Sequence, residues 1–259
     1  MIYFIGAGPG AVDLITVRAA EILRSAERII YAGSLVNPKI IETYVKKTCE
    51  VFDSSGLTLE EISELMIEGD EKGLLTVRLH SGDPSIYGAV REQMRILRER
   101  GVTFESVPGV SSLFAASSAL NAEYMIPGLT QTLIITRASG RTPVPERESL
   151  RELSSHGSSI AVFLSAGMTE RVCSELIEGG YAPETPAAVV YRASWPDERI
   201  ILGTLSTLPG LSRNITKTAL ILAGDFLNLN LNETDSKSRL YDKNFTHEYR
   251  NSSLHEKGR

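Results

Sequence analysis

Between residues 2 and 107 the chain alternates five short runs of β-branched or aliphatic residues with segments of helical period, and this alternation restricts the fold more than any other feature. The runs fall at 2–5, 28–31, 48–52, 74–79 and 102–107, and the helical candidates at 16–26, 37–46, 58–71 and 86–100. Strand and helix in strict turn specify an α/β arrangement, because each apolar run needs a helix on its face and a crossover to its neighbour. Local signals agree. Thr58 stands three residues before Glu61, a capping box ahead of Leu59, Ile62, Leu65 and Met66, and Gly101 supplies a helix stop after Arg100.

A second set follows the stretch 121–130, where Asn121, Pro127 and Gly128 read as a connection between two lobes. Strand candidates lie at 132–137, 159–164, 187–192, 199–205 and 218–223, with helical segments near 146–154 and 168–179. The runs at 187–192 and 199–205 are joined by Ala-Ser-Trp-Pro-Asp-Glu, which reads as an antiparallel hairpin, so a mixed sheet is expected here. The expected organisation is an N-terminal lobe over 1–120, a linker at 121–130, a C-terminal lobe over 131–226 and a mobile tail over 227–259, where hydrophobic periodicity gives way to Asn, Ser, Lys and Asp.

Composition narrows the function classes. With 259 residues, two medium-sized cores are affordable without staples, and Cys49 and Cys173 are too few and too far apart for a disulfide framework or a CxxC metal site. No run approaches the roughly 18 apolar residues of a membrane helix, and the opening residues read as a strand, not as a leader, so a cytoplasmic location is expected. The sequons at Asn214, Asn232, Asn244 and Asn251 are then chance matches. Lys and Arg number 27 against 32 Asp and Glu, with no basic run, which argues against a nucleic-acid partner. His80 and His156 lack companion ligands, and His247 and His255 lie in the tail, so no metal site is expected.

Three glycine-bearing loops leave strands in the first lobe. Gly6-Ala-Gly-Pro-Gly-Ala11 carries the G-x-G-x-x-A spacing of dinucleotide-binding turns, but the second strand exits into Ala32-Gly33-Ser34 with no acid for a ribose, and Pro9 suits a pyrophosphate turn poorly. In Ser81-Gly82-Asp83-Pro84-Ser85-Ile86-Tyr87-Gly88, Gly82 permits close backbone approach, Asp83 can take a ribose hydroxyl or amino group or act as a helix N-cap, and Pro84 suits a first helical turn. Val107-Pro-Gly-Val-Ser-Ser112 enters a helix of small residues. Loops that all follow strands gather where an open α/β sheet binds its ligand.

In these motifs, in this order, and in Ala219-Leu-Ile-Leu-Ala-Gly224, the chain resembles the S-adenosylmethionine-dependent C-methyltransferases of tetrapyrroles, the corrin and sirohaem methylases, over residues 1 to about 226. The segments 130–146 and 191–198 resemble those of the branch that acts on C-11 of precorrin-4 or cobalt-precorrin-4 in cobalamin synthesis.

The resemblance implies a two-lobed homodimer, each lobe a mixed sheet flanked by helices, distinct from the Rossmann-type methyltransferases, with S-adenosylmethionine folded between the lobes below a trough for the macrocycle. Carried over by motif position, Pro9 and Gly10 line the trough side, Gly82, Asp83, Ile86 and Tyr87 the amino-acid and ribose side, and Ser111 and Ser112 the adjoining wall. Leu164, Ser165, Arg192, Ala193, Thr218 and Ala219 surround the adenine and methionine portions. Where related uroporphyrinogen methylases have an acid after the second strand this chain has Gly33, so no acid–base role transfers to that loop. The substrate's acetate and propionate rim suits guanidinium forks, and Arg137 and Arg141 are the candidates, with Tyr31, Ser34 and Leu35 as further wall positions and Trp195 as an anchor of the hairpin loop. No His or Cys nucleophile constellation is present and no catalytic residue is assigned, which fits a transfer driven by alignment. Three other readings stay open: a sibling methylase acting at another ring carbon, a nicotinamide-dependent oxidoreductase, and a non-catalytic corrinoid or nucleotide carrier.

Overall fold

The computed structural model describes residues 1–228, 238 and 241–251. It divides into two compact units, one of Met1–Leu120 with Val190–Ile200 and Thr218–Leu220, the other of Asn121–Val189 with Ile201–Lys217 and Ile221–Arg259.

In the first unit the apolar runs form β1 (Ile2–Gly6), β2 (Arg28–Tyr31), β3 (Glu50–Asp53), β4 (Thr76–His80) and β5 (Phe104–Val107). Between and after them come α1 (Val17–Ser25), α2 (Pro38–Tyr44), α3 (Leu59–Glu71), α4 (Val90–Glu99) and α5 (Ser112–Leu120). The sheet order is β3-β2-β4-β1-β5 and all four pairings are parallel, as helical crossovers require. The mixture of strand directions expected in both lobes therefore lies in the second sheet. Ile5, Ile29, Val77 and Leu79 pack on one face with Ala19, Leu23 and Ile40, and Ile2, Phe4 and Ile30 on the other with Ile62, Met66 and Leu97. Each of these large side chains contributes about 1.5–3 kcal/mol by leaving water. Arg28, 2% exposed, is tolerated in this core because Glu50, Glu68 and the Leu65 carbonyl neutralise and bond its guanidinium.

Sequence signals set the helix ends. Thr58 and Glu61 form the capping box of α3, Asn37 caps α2 ahead of Pro38, and Gly101, at φ +69°, closes α4. The helix expected from residue 86 begins instead at Val90, because Tyr87 and Ala89 adopt left-handed φ of 55° and 49°, which no α-helix accommodates. Pro84 thus lies outside the helix.

The second sheet has the order β6-β7-β10-β8-β9, from β6 (Leu133–Arg137), β7 (Ser159–Phe163), β8 (Pro186–Tyr191), β9 (Arg199–Thr204) and β10 (Ala219–Ala223). β6 runs parallel to β7 and β10 antiparallel to it, which makes the sheet mixed, and β8 and β9 are neighbours. Its helices are α6 (Leu150–Ser154), α7 (Thr169–Glu178) and the short α8 (Leu208–Leu211). The stretch expected as a linker is ordered: Ile126 and Thr130 exchange two backbone hydrogen bonds, and the Tyr124 ring packs on Phe226. Leu227, the first residue of the expected tail, is buried at the end of a 3-10 turn, while 229–237, 239–240 and 252–259 lie outside the described residues.

Candidate active site

β1 leaves toward β2 across β4, and β4 leaves toward β5 across β1, so their connections part in opposite directions. An open parallel sheet forms its ligand crevice at such a point, outside the carboxyl ends of the strands. Here the loops after β1 and β4 meet. The Gly82 amide donates to the Gly8 carbonyl at 2.8 Å, and the Gly8 amide donates back to the Gly82 carbonyl at 3.3 Å. The loop after β5 is drawn in by Asp83, whose Oδ2 accepts the Gly109 amide at 2.9 Å while Oδ1 accepts the Ser85 amide and hydroxyl. Burial alone would raise the Asp83 pKa, but the bonds from Ser85 and Gly109 outweigh it and hold the carboxylate below its ordinary value. Asp83 is thus a brace between loops and not the cap of α4, whose N-cap Ala89 offers no side-chain bond.

The backbones pack closely enough to dictate residue type. A Cβ on Gly109 would stand 2.1 Å from the Gly82 carbonyl oxygen, and one on Gly6 2.5 Å from the Gly109 Cα. At Gly82, with φ +62°, the nearest atoms to such a Cβ are 3.7 Å away on Ser111 and Ser112, which leaves a cradle beside the backbone.

Strained backbone collects at the proposed cofactor positions. Seven non-glycine residues among those described have left-handed φ, and four of them, Tyr87, Leu164, Arg192 and Thr218, are positions carried over for S-adenosylmethionine. Each such residue costs about 1–3 kcal/mol and persists where the surroundings, and commonly a ligand site, demand it. In the first unit the Arg192 amide donates to the Thr218 carbonyl at 2.9 Å, which joins two of these positions and brings their neighbours Ala193 and Ala219 with them. The Arg192 guanidinium pairs with Asp197 at 2.8 Å and stacks on Trp195, yet its Nε, a donor, is buried with no partner among the described residues.

Of the remaining predicted positions in this unit, Pro9 and Gly10 are buried in the first loop and Ile86 is half-buried in the second. Ser111 is buried, and its Oγ accepts the Leu113 amide at the start of α5, beside the half-buried Ser112. Tyr31 ends β2 half-buried, and Ser34 and Leu35 are exposed after it. In the second unit Leu164 is 67% exposed, whereas Ser165 is buried and its Oγ accepts the Ala138 amide at 2.9 Å. Arg137 turns onto its own loop, donating to the carbonyls of Ala138, Thr142 and Pro143, and Arg141 is exposed on that loop.

Sequence reasoning missed the side chains that support the first loop. Asn37 Nδ2 donates to the Gly10 carbonyl at 2.8 Å, Ser194 Oγ accepts the Ala11 amide at 3.0 Å, and Trp195 Nε1 donates to the Pro9 carbonyl at 2.9 Å. It also missed Asp53, whose Oδ1 accepts the Gly33 amide and whose carboxylate occupies the space a Gly33 side chain would need. Hydrogen bonds from the Ser55 amide and hydroxyl, then from Gly33, hold the Asp53 pKa down. Asn37 caps α2 ahead of Pro38, a local feature, while its bond to Gly10 spans 27 residues and exists only in the fold.

A two-sheet α/β chain with three interlocked glycine loops at a switch point matches a known class. Residues 1–209 match the model of the Tetrapyrrole (Corrin/Porphyrin) Methylases, and the chain belongs to that family. It is 50% identical over 253 residues, 97% of this chain and 96% of the relative, to the cobalt-precorrin-4 C(11)-methyltransferase of Methanocaldococcus jannaschii. Among solved structures, that of a cobalt-precorrin-4 methyltransferase of cobalamin biosynthesis superposes with a TM-score of 0.85 at 48% identity, covering 87% of this chain and 95% of the other. A uroporphyrin-III C-methyltransferase from Thermus thermophilus in complex with S-adenosylhomocysteine superposes with a TM-score of 0.75 at 26% identity, covering 88% of this chain and 99% of the other.

Proposed function

We propose that this chain transfers a methyl group from S-adenosylmethionine to C-11 of precorrin-4 or cobalt-precorrin-4 in cobalamin biosynthesis, as a cytoplasmic homodimer. The observation that carries the reading is the 50% identity, sustained over 97% of the chain, with a relative named for that reaction. The cradle at Gly82 and the orphaned Arg192 Nε fit a folded nucleoside with polar edges. Gly82, Asp83, Ile86, Tyr87, Ser111 and Ser112 form the cofactor wall in this proposal. Arg192, Ala193, Thr218 and Ala219 continue it, and Pro9 and Gly10 line its trough side.

When bound, S-adenosylmethionine supplies an electrophilic methyl whose bonding pair stays with sulfur as carbon bonds to carbon. The protein has little covalent work to do. Its loops hold two reactants in line and exclude water, which accounts for the absence of a nucleophile constellation. The ionised Asp83 fixes the Gly109 loop against the Gly82 loop, so the wall is assembled before binding and little ordering remains to be done. Arg141, exposed and without a carboxylate partner among the described residues, and Arg137, whose bonds there go to neutral carbonyls, keep charge available for the substrate's carboxylate rim.

The test is an anaerobic incubation with methyl-labelled S-adenosylmethionine and each form of precorrin-4, locating the label by NMR. Label at C-11 supports the reading. Label at another ring carbon moves the chain to a sibling reaction, and no transfer overturns it. Light scattering of the purified protein tests the homodimer.

A further inference from the structure

The loop over Pro9, Gly10 and Ala11 is held by side chains from two distant parts of the sequence. Three consecutive residues each give one backbone group to a side chain: the Pro9 carbonyl to Trp195, the Gly10 carbonyl to Asn37 and the Ala11 amide to Ser194. The indole also fills the place of a side chain on Gly10, where a Cβ would stand 2.0 Å from the Trp195 Cδ1. Bulk and hydrogen bond therefore arrive from the same residue.

The segment that delivers Trp195 is built for rigidity. Arg192 and Ser194 both take left-handed φ, 48° and 68°, a conformation that neither side chain favours. It is kept in place by the Arg192–Asp197 ion pair at 2.8 Å, by the Ser194 amide donating to Glu198 Oε2 at 2.6 Å, and by the Trp195 amide donating to the Arg192 carbonyl at 2.9 Å. The Arg192 guanidinium lies 4.7 Å from the indole centroid and fixes the ring plane. Strain held by this many contacts aims Ser194 and Trp195 at the glycine loop.

We infer that Trp195 is a positioning residue for methyl transfer: its Nε1 hydrogen bond to Pro9 sets the wall that faces the macrocycle relative to the cofactor wall that begins at Arg192. The inference rests on the proposed function. Loss of the bond removes no contact of the Gly82 loop itself, whose bonds to Gly8 and Gly109 stand, and loosens the approach of the acceptor carbon more than the seat of the cofactor. The burden falls on kcat, because misalignment of a reacting pair slows the chemical step more than it weakens binding.

Trp195 is the chain's single tryptophan, so it can be replaced uniquely by benzothienylalanine, which keeps the bicyclic shape and lacks the N–H donor. Wild type, W195F and the benzothienylalanine protein are compared for methyl transfer, for KM and for S-adenosylhomocysteine affinity by calorimetry. The expected result is a fall in kcat of about tenfold in both replacements, with S-adenosylhomocysteine affinity changed by less than about threefold. A purely structural tryptophan would lower the melting temperature and leave kcat per folded molecule intact. Should W195F fail to fold, the benzothienylalanine protein carries the test, since its bicyclic ring keeps nearly the shape of the indole. A kcat within about twofold of wild type, or a loss confined to cofactor affinity, overturns the inference and leaves the proposed function standing. Absence of transfer by the wild type itself overturns the proposed function, and the inference with it.

Discussion

Asp83 reaches across 26 residues of sequence to accept the Gly109 amide at 2.9 Å, tying the loop after β4 to the loop after β5. Its other oxygen accepts the amide and hydroxyl of Ser85, so its partners among the described residues are all donors. An asparagine here would turn an NH2 group toward one set of those donors. Asp83→Asn is expected to cost about 1–2 kcal/mol, discounted for partial exposure, and to weaken S-adenosylhomocysteine binding about tenfold. The contribution also has a defined pH dependence. A carboxyl whose folded pKa lies below its unfolded value stabilises above the unfolded value and loses that effect as pH falls through the folded one. Denaturation of wild type and variant should therefore converge at low pH. A constant gap down to the acid limit would refute the assignment.

The close approach of glycines gives a sharper contrast. A Cβ on Gly109 meets only backbone, at 2.1 Å from the Gly82 oxygen and 2.7 Å from the Gly6 Cα, so no side chain can swing aside. Gly109→Ala is expected to lose about 3 kcal/mol or more, or to fail to fold. Gly56, with open space around its Cα and no left-handed φ, is the control, and Gly56→Ala should be neutral or stabilising by up to about 1 kcal/mol. Urea titrations of the two variants measure the difference, and similar midpoints would show that the three loops are not packed as described.

These contacts mark where sequence reading stops. Periodicity placed the five strands and four of the five helices of the first unit, because each has a face to bury, α5 followed from its run of small residues, and the Thr58–Glu61 box fixed the start of α3 to the residue. Four residues were misread at 86–89, since a left-handed Tyr87 and Ala89 answer to tertiary demands that local propensity does not encode. The three glycine loops were visible as loops after strands, and the sheet order brings them together. Their braces were not visible. Trp195 and Pro9 are 186 residues apart, and a pairing at that separation exists only once the chain has folded.

His80 ends β4 just before the Gly82 loop, buried against Phe4, and its Nε2 has no partner among the described residues. Burial, and secondly the charge of Arg78, push its pKa from 6.5 down to about 3. The folded state therefore refuses a proton that the unfolded chain accepts between those values, and stability falls as pH drops through that window, by at most about 1.4 kcal/mol per unit. His80→Leu removes both the orphaned nitrogen and the titration. Between pH 8 and pH 5 the wild type should lose about 2 kcal/mol more than the variant in denaturant titrations. Parallel losses in the two proteins would mean that His80 is charged, or solvated, in the folded state.

Leu164 separates stability from function most directly. It holds φ at +54° although its side chain, 67% exposed, gains little from burial. A left-handed leucine is worse than a left-handed glycine by about 1–2 kcal/mol, part of which the greater chain entropy of glycine offsets. Leu164→Gly is thus expected to raise stability by up to about 1 kcal/mol. If the residue is kept to bind the cofactor, the same variant should bind S-adenosylhomocysteine several-fold more weakly, the usual exchange of stability for function. Urea titration and calorimetry on one preparation decide both halves. A variant that is stabilised and binds as tightly as wild type would remove Leu164 from the site, and a destabilised one would mean that the exposed side chain makes a contact the fold depends on.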